Sequence, residues 1–115
     1  MKEENKKFYD KLVEFARHAK VATYSDVAPI VNLDMRYPDH VQQISAILCD
    51  ISVSEHNNGR PLLSAVIVSS VNGQPGGLPG MGFFTMAEAL GFDVSDRVVF
   101  FATELRRVHE YWHGK

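Results

Sequence analysis

Hydrophobic residues recur at helical spacing near the start and in the middle of the chain. Apolar side chains share one face of residues 4–20, which predicts a first helix. A second helix is predicted over residues 26–31, with Ser25 as its cap. A third is predicted to begin at Pro38 and to run over residues 38–51. This helix carries an apolar stripe, and the stripe consists of Val41, Ile44, Ile47, Leu48 and Ile51.

Two more helices are predicted near the end of the chain. Residues 83–90 read as a helix that Gly91 terminates. A last helix follows, with Asp93 or Ser95 as its cap. Its apolar stripe consists of Val98, Phe101, Ala102, Leu105, Val108 and Trp112.

Residues 62–68 give the strongest strand pattern, with apolar side chains on both faces and therefore cover on both sides. A short β-prone segment at 21–24 and a strand within 69–74 are alternative pairing partners. Residues 52–59 are predicted as a loop, and residues 74–82 form an irregular segment rich in Gly and Pro. The elements predict one α+β domain over residues 1–115, mainly helical. It is a winged-helix-like helix-turn-helix with a very small sheet and extra C-terminal helices.

Composition indicates a soluble globular protein without a global basic field. The chain has 115 residues, 45% hydrophobic and 23% charged, and a formal net charge of -2. The first residues are charged, so we expect no signal peptide. Cys49 is the only cysteine, so neither an internal disulfide nor a cysteine-based metal site is expected. These features predict a cytoplasmic protein without a cofactor or membrane partner.

Three short patterns occur along the chain: VATYSDVA at 21–28, ISAIL at 44–48, and Arg60-Pro61 before an apolar strand. Together they resemble the DNA-binding domain of the alkylguanine alkyltransferases and alkyltransferase-like proteins. The resemblance implies a winged-helix scaffold, a recognition helix from Pro38 and a phosphate facing Tyr24. Residues 63–65, Leu-Ser-Ala, replace the family's Cys-His pair, so alkyl transfer is not expected. The Arg-Pro-Leu-Leu and Pro-Gly-x-Gly-Phe patterns are also similar to a small bacterial family that implies no activity.

A nucleic-acid surface is the leading hypothesis for the predicted helix pair. Amide and imidazole side chains on the third helix could read base edges, and a nearby cation could contact phosphate. The alternative is an ordinary exposed polar face. The candidate residues are Tyr24, Arg36, His40, Gln42 and Gln43.

An anion site is a second hypothesis, formed by Arg60, Gly80 and Gly82. Glycines let a ligand approach the backbone, and the helix that follows would point N–H groups toward it. The alternatives are a wing without a ligand, and an Arg60 that pairs with Asp50 or Glu55.

The sequence indicates no catalytic residue and no metal site, although His109 and His113 are four residues apart. Three functions remain open, in decreasing order of support. The first is a non-enzymatic winged-helix-like protein that binds nucleic acid. The second is a protein-interaction module or homodimer, and the third is a small enzyme for an anionic substrate.

Overall fold

The computed structural model describes residues 3–115, in which five α-helices surround two very small pairs of strands. The helices are α1 (Glu3–Arg17), α2 (Tyr24–Val27), α3 (Pro38–Asn57), α4 (Met81–Ala89) and α5 (Arg97–Trp112). The strands are β1 (Ala22–Thr23), β2 (Ile67–Val68), β3 (Ser70–Val71) and β4 (Gln74–Pro75). Two 3-10 helices cover Ala28–Val31 and Leu63–Val66. The mainly helical α+β class with a very small sheet is therefore confirmed.

The strands form one parallel pair and one hairpin. β1 pairs with β2, placing Ala22 opposite Ile67, so the pairing that the sequence left open falls on the 21–24 segment. β3 and β4 are antiparallel and are joined by Asn72 and Gly73. Both turn residues have positive φ, 52° and 78°, as a tight two-residue hairpin turn requires.

The prediction of a strand over residues 62–68 is wrong for most of its length, although all seven residues are buried. Side chains take the backbone donors that a strand would give to its neighbour. The Leu62 N–H donates to Glu104 Oε2 at 2.8 Å, and the Ser64 N–H donates to Ser52 Oγ at 3.0 Å. With those donors used, the chain coils into a 3-10 turn, and only Ile67 and Val68 pair in the sheet.

Two helix ends in the first half differ from the prediction. α1 ends at Arg17, before Ala19, which has a φ of 53°. Thr23, rather than Ser25, caps α2. Its hydroxyl accepts the Asp26 N–H at 3.2 Å, and the Asp26 carboxylate accepts the Thr23 N–H at 3.0 Å.

α3 is longer than predicted and continues through most of the predicted loop 52–59 to Asn57. Its added turns bury Ser52 and Glu55, two polar residues that a sequence pattern assigns to the surface. Both find partners inside the protein, which allows their burial.

In the second half of the chain, the predicted cap of α5 is wrong and its predicted buried face is partly wrong. Gly91 ends α4 as expected, with a φ of 97°. Asp96 caps α5, accepting the Val99 N–H at 3.1 Å, in place of Asp93 or Ser95. The predicted stripe is partly wrong because Val98 is exposed, whereas Glu104 faces the core.

The core lies around the second 3-10 helix, which α1, α3 and α5 cover from different sides. Phe8, Leu12 and Ala16 of α1 are fully buried there, as their spacing predicted. The first 3-10 helix packs against α1 and α2, and α3 packs against α4 as well as the second 3-10 helix. Within residues 3–115, no helix has the length and apolar character needed to cross a membrane.

Candidate functional site

Tyr24 points into the junction between α2, α3 and α4. Its phenol oxygen accepts the Gly80 N–H at 2.6 Å, and burial raises the pKa of Tyr24. That bond occupies one of the backbone donors that the anion hypothesis needs. Tyr24 therefore holds the start of α4 in place, a contact between residues 56 positions apart that no local pattern predicts.

Close packing explains why glycine occupies positions 80 and 82. A Cβ at Gly82 would lie 2.7 Å from Ser45 Oγ, and one at Gly80 would lie 3.3 Å from the Tyr24 oxygen. Neither glycine has positive φ. Their small size lets α4 approach α3 and Tyr24.

A narrow crevice lies beside these glycines, with room for about 20 Å³. That space suits one water molecule. Burial raises the pKa of the Cys49 thiol, so this group stays protonated near neutral pH. Ser64 Oγ is 2.6 Å from Ser52 Oγ, and no base is paired with either hydroxyl among the described residues. The crevice is lined by Tyr24, Ser45, Leu48, Cys49, Ser64, Gly80, Gly82 and Phe83.

Arg60 forms a forked ion pair with Glu55, one of the two partners suggested by the sequence. Its Nε and Nη2 atoms donate to the two carboxylate oxygens at 2.8 and 2.9 Å. The Tyr9 hydroxyl donates to the same carboxylate at 3.0 Å. The Glu55 carboxylate raises the pKa of Arg60, and burial, followed by the Glu55 contact, raises the pKa of Tyr9 to about 12. The guanidinium is therefore engaged internally.

The candidate nucleic-acid residues near the start of α3 are also engaged in local contacts. The Arg36 Nη2 donates to Asp34 Oδ2 at 2.7 Å, and these Arg36 bonds lower the pKa of Asp34 to about 2. His40 Nδ1 accepts the Asp34 N–H at 2.9 Å, and the ring packs against Tyr37. Gln42 and Gln43 remain exposed on α3.

Charge is unevenly distributed along the chain. Residues 21–96 contain eight carboxylates and two cations, Arg36 and Arg60, a formal charge of -6. The exposed face of α3 carries Asp39 and Asp50, and no Lys or Arg occurs within α3 or the β3–β4 hairpin. This surface is thus poorly suited to phosphate contacts.

A cleft that the sequence pattern does not predict lies between α4 and α5. Its volume is about 700 Å³, and Phe84 and Phe92 are among its lining residues. Met81 and Val98 at this cleft are 55% and 61% exposed. The sequence signal for an exposed apolar surface was the run of four apolar residues at 98–101. One face of a helix cannot bury all four. The other lining residues are Thr85, Glu88, Asp93, Val94, Ser95, Asp96 and Arg97.

His109 lies in the last turn of α5, and His113 is the residue that follows the helix. His109 Nε2 lies 3.1 Å from the Lys20 carbonyl oxygen. Over residues 3–115, no group of three His, Cys, Asp or Glu side chains is placed to hold a metal ion.

The fold and its surface define a small, mainly helical α+β protein with a helix-lined cleft. No family model matches the chain, and neither a curated protein nor a solved structure is significantly similar to it.

Proposed function

We propose that this protein is a non-catalytic module that binds another protein. The observation that carries the proposal is the acidic character of residues 21–96, combined with an open cleft that exposes large apolar side chains. Exposed apolar side chains with polar residues around them are typical of protein-binding surfaces. The exposed carboxylates of α3, Asp39 and Asp50, would repel a phosphate backbone.

A non-catalytic role is favoured because the reactive side chains are engaged in packing. Arg60 is bound to Glu55, and the Ser64 hydroxyl is bound to Ser52. The Cys49 thiol has a raised pKa, which opposes nucleophilic use near neutral pH. Catalysis would require a nucleophile beside a base or convergent carboxylates.

Site-specific photocrosslinking tests this function. A photoreactive phenylalanine analogue is placed at Val98 in the cleft, at Gln42 on α3, or at Lys7 on the exposed face of α1 as the control. We expect a defined protein adduct from Val98 or Gln42, resistant to nuclease and absent from Lys7. The adducted protein, once purified, should bind the unmodified module in a saturable titration. Nuclease-sensitive adducts, or equal adducts at all three positions, would contradict the proposal.

Nucleic-acid binding is the second candidate. Two observations favour it: exposed amides, Gln42 and Gln43, on α3, and a hairpin that could act as a wing. The resemblance to the alkyltransferase DNA-binding domain supports the same function. Fluorescence anisotropy with a labelled duplex at low salt tests it. Saturable binding that Gln42→Ala weakens and Lys7→Ala leaves unchanged would support nucleic acid over protein as the partner.

A further inference from the structure

The cleft between α4 and α5 has exposed apolar side chains at its edge and an acidic rim. Met81 and Val98 are the exposed apolar residues, Phe92 is half-buried, and Phe84 lies beneath the surface with 3% of its area exposed. A volume of about 700 Å³ is enough for several side chains of a partner. The cleft can therefore receive apolar anchors from an amphipathic segment.

Three carboxylates and one cation lie at this cleft. The carboxylates are Glu88, Asp93 and Asp96, and the cation is Arg97. Arg97 lies over the Phe84 ring, with its guanidinium carbon 5.9 Å from the ring centre. Glu88 is exposed, and no ion-pair partner for it occurs among residues 3–115. The net charge at the rim is negative, so it complements a basic segment.

We infer that this cleft binds a basic amphipathic segment of a partner protein, with apolar side chains on Met81 and Val98 and a Lys or Arg beside Glu88. The inference rests on the proposed function and names the site and the partner chemistry. The interaction should be sensitive to salt, because its charged contacts are exposed.

A synthetic peptide of about 14 residues, with Leu on one helical face and Lys on the other, serves as the probe. A matched peptide with Glu in place of Lys is the control ligand. We expect binding of the Lys peptide alone, measured by anisotropy. In ¹⁵N-edited spectra, the affected amides should fall within residues 81–98. Shifts confined to α3 or the hairpin would overturn the assignment.

Two charge-reversal variants locate the contact. Glu88→Lys should weaken binding of the Lys peptide about tenfold, whereas Asp50→Lys on α3 should change it less than about twofold. Both positions are exposed, and circular dichroism checks that both variants fold. Val98→Ser should also weaken binding, because it removes an apolar contact without changing charge.

The outcomes separate this inference from the proposed function. Equal effects of Glu88→Lys and Asp50→Lys would indicate general attraction and overturn the cleft as the site. An unbound Lys peptide would also overturn it, while a protein adduct from Gln42 would keep the proposed function. If the free protein is a dimer that Glu88→Lys dissociates, the occupant is a second copy, which also overturns the inference.

Discussion

Two glutamates, Glu55 and Glu104, fix the path of the chain between α3 and β2. They are 1% and 2% exposed. Glu55 accepts hydrogen bonds from Tyr9 and Arg60, and Glu104 accepts them from the Leu62 N–H and Arg107. Buried carboxylates are destabilising without such partners. Each glutamate therefore ties a helix to the segment that enters the core.

Glu55→Gln tests the first of these ties. The change keeps the shape of the side chain but leaves Arg60 without its counter-charge. Removing one partner of a buried ion pair costs about 3–5 kcal/mol, and partial exposure of Arg60 lowers the expected loss to about 2 kcal/mol. Urea unfolding measures the free energy. Asp10→Asn, in the exposed pair with Lys6, is the control and should cost less than about 0.5 kcal/mol. Similar losses in both variants would contradict the role of Glu55.

The titration of Tyr9 tests the same group of contacts, in which Tyr9 and Arg60 both bind Glu55. Burial and the Glu55 contact raise its pKa from 10.0 to about 12 in the folded protein. The folded state holds the phenol proton more tightly than the unfolded state. Its contribution to stability is complete below pH 10 and is lost as the pH rises toward about 12.

The measurement compares wild type with Tyr9→Phe, which cannot titrate at this position. The difference in unfolding free energy between them should shrink between about pH 8 and about pH 11.5. Absorbance near 295 nm should show one late-titrating tyrosine fewer in the variant. A difference that stays constant with pH would contradict the assignment.

At the scale of elements, the periodicity of apolar residues predicted the positions of the long helices but not their ends. The helix predicted over residues 26–31 is only partly correct, because α2 ends at Val27 and Ala28–Val31 form a 3-10 helix. Asp93, Ser95 and Asp96 all have oxygen-bearing side chains suited to capping, and only the backbone course selects Asp96. The prediction of a strand over residues 62–68 was wrong for a different reason. Its backbone donors are taken by Ser52 and Glu104, at positions 12 and 42 residues away in the chain. A pattern read from neighbouring residues cannot predict partners this far away in the chain.

The cap of α5 can be tested directly. Asp96→Ala removes the acceptor of the Val99 N–H and should lower stability by about 1 kcal/mol. Ser95→Ala is the matched control in the same loop, with an expected change within about 0.5 kcal/mol. Thermal or urea unfolding measures both. A larger loss in Ser95→Ala than in Asp96→Ala would contradict the assignment of Asp96 as the cap and favour Ser95, one of the two predicted caps.

At the scale of the whole molecule, the candidate site depends on long-range packing that the sequence does not reveal. The sequence pattern identified Arg60, Gly80 and Gly82 as candidate site residues. It did not predict that each of them packs against a side chain of another element. For Arg60 the sequence offered Glu55 as one of two partners, and the extension of α3 decides between them. The cleft was missed because α4 and α5 create it only when they pack together.

The charge distribution leads to the last prediction. If α3 and the hairpin have a shape that fits a duplex, acidic charge is what limits binding there. Replacing Asp39 and Asp50 with Lys should then raise duplex affinity at least about tenfold at low salt and steepen its salt dependence. Changing Asp10 and Glu110 to Lys alters the net charge equally on α1 and α5, and should have a smaller effect. Anisotropy titrations over a range of salt measure both variants. Equal gains would mean that net charge alone attracts the duplex, and no gain from the α3 variant would remove nucleic acid as a candidate partner for this face.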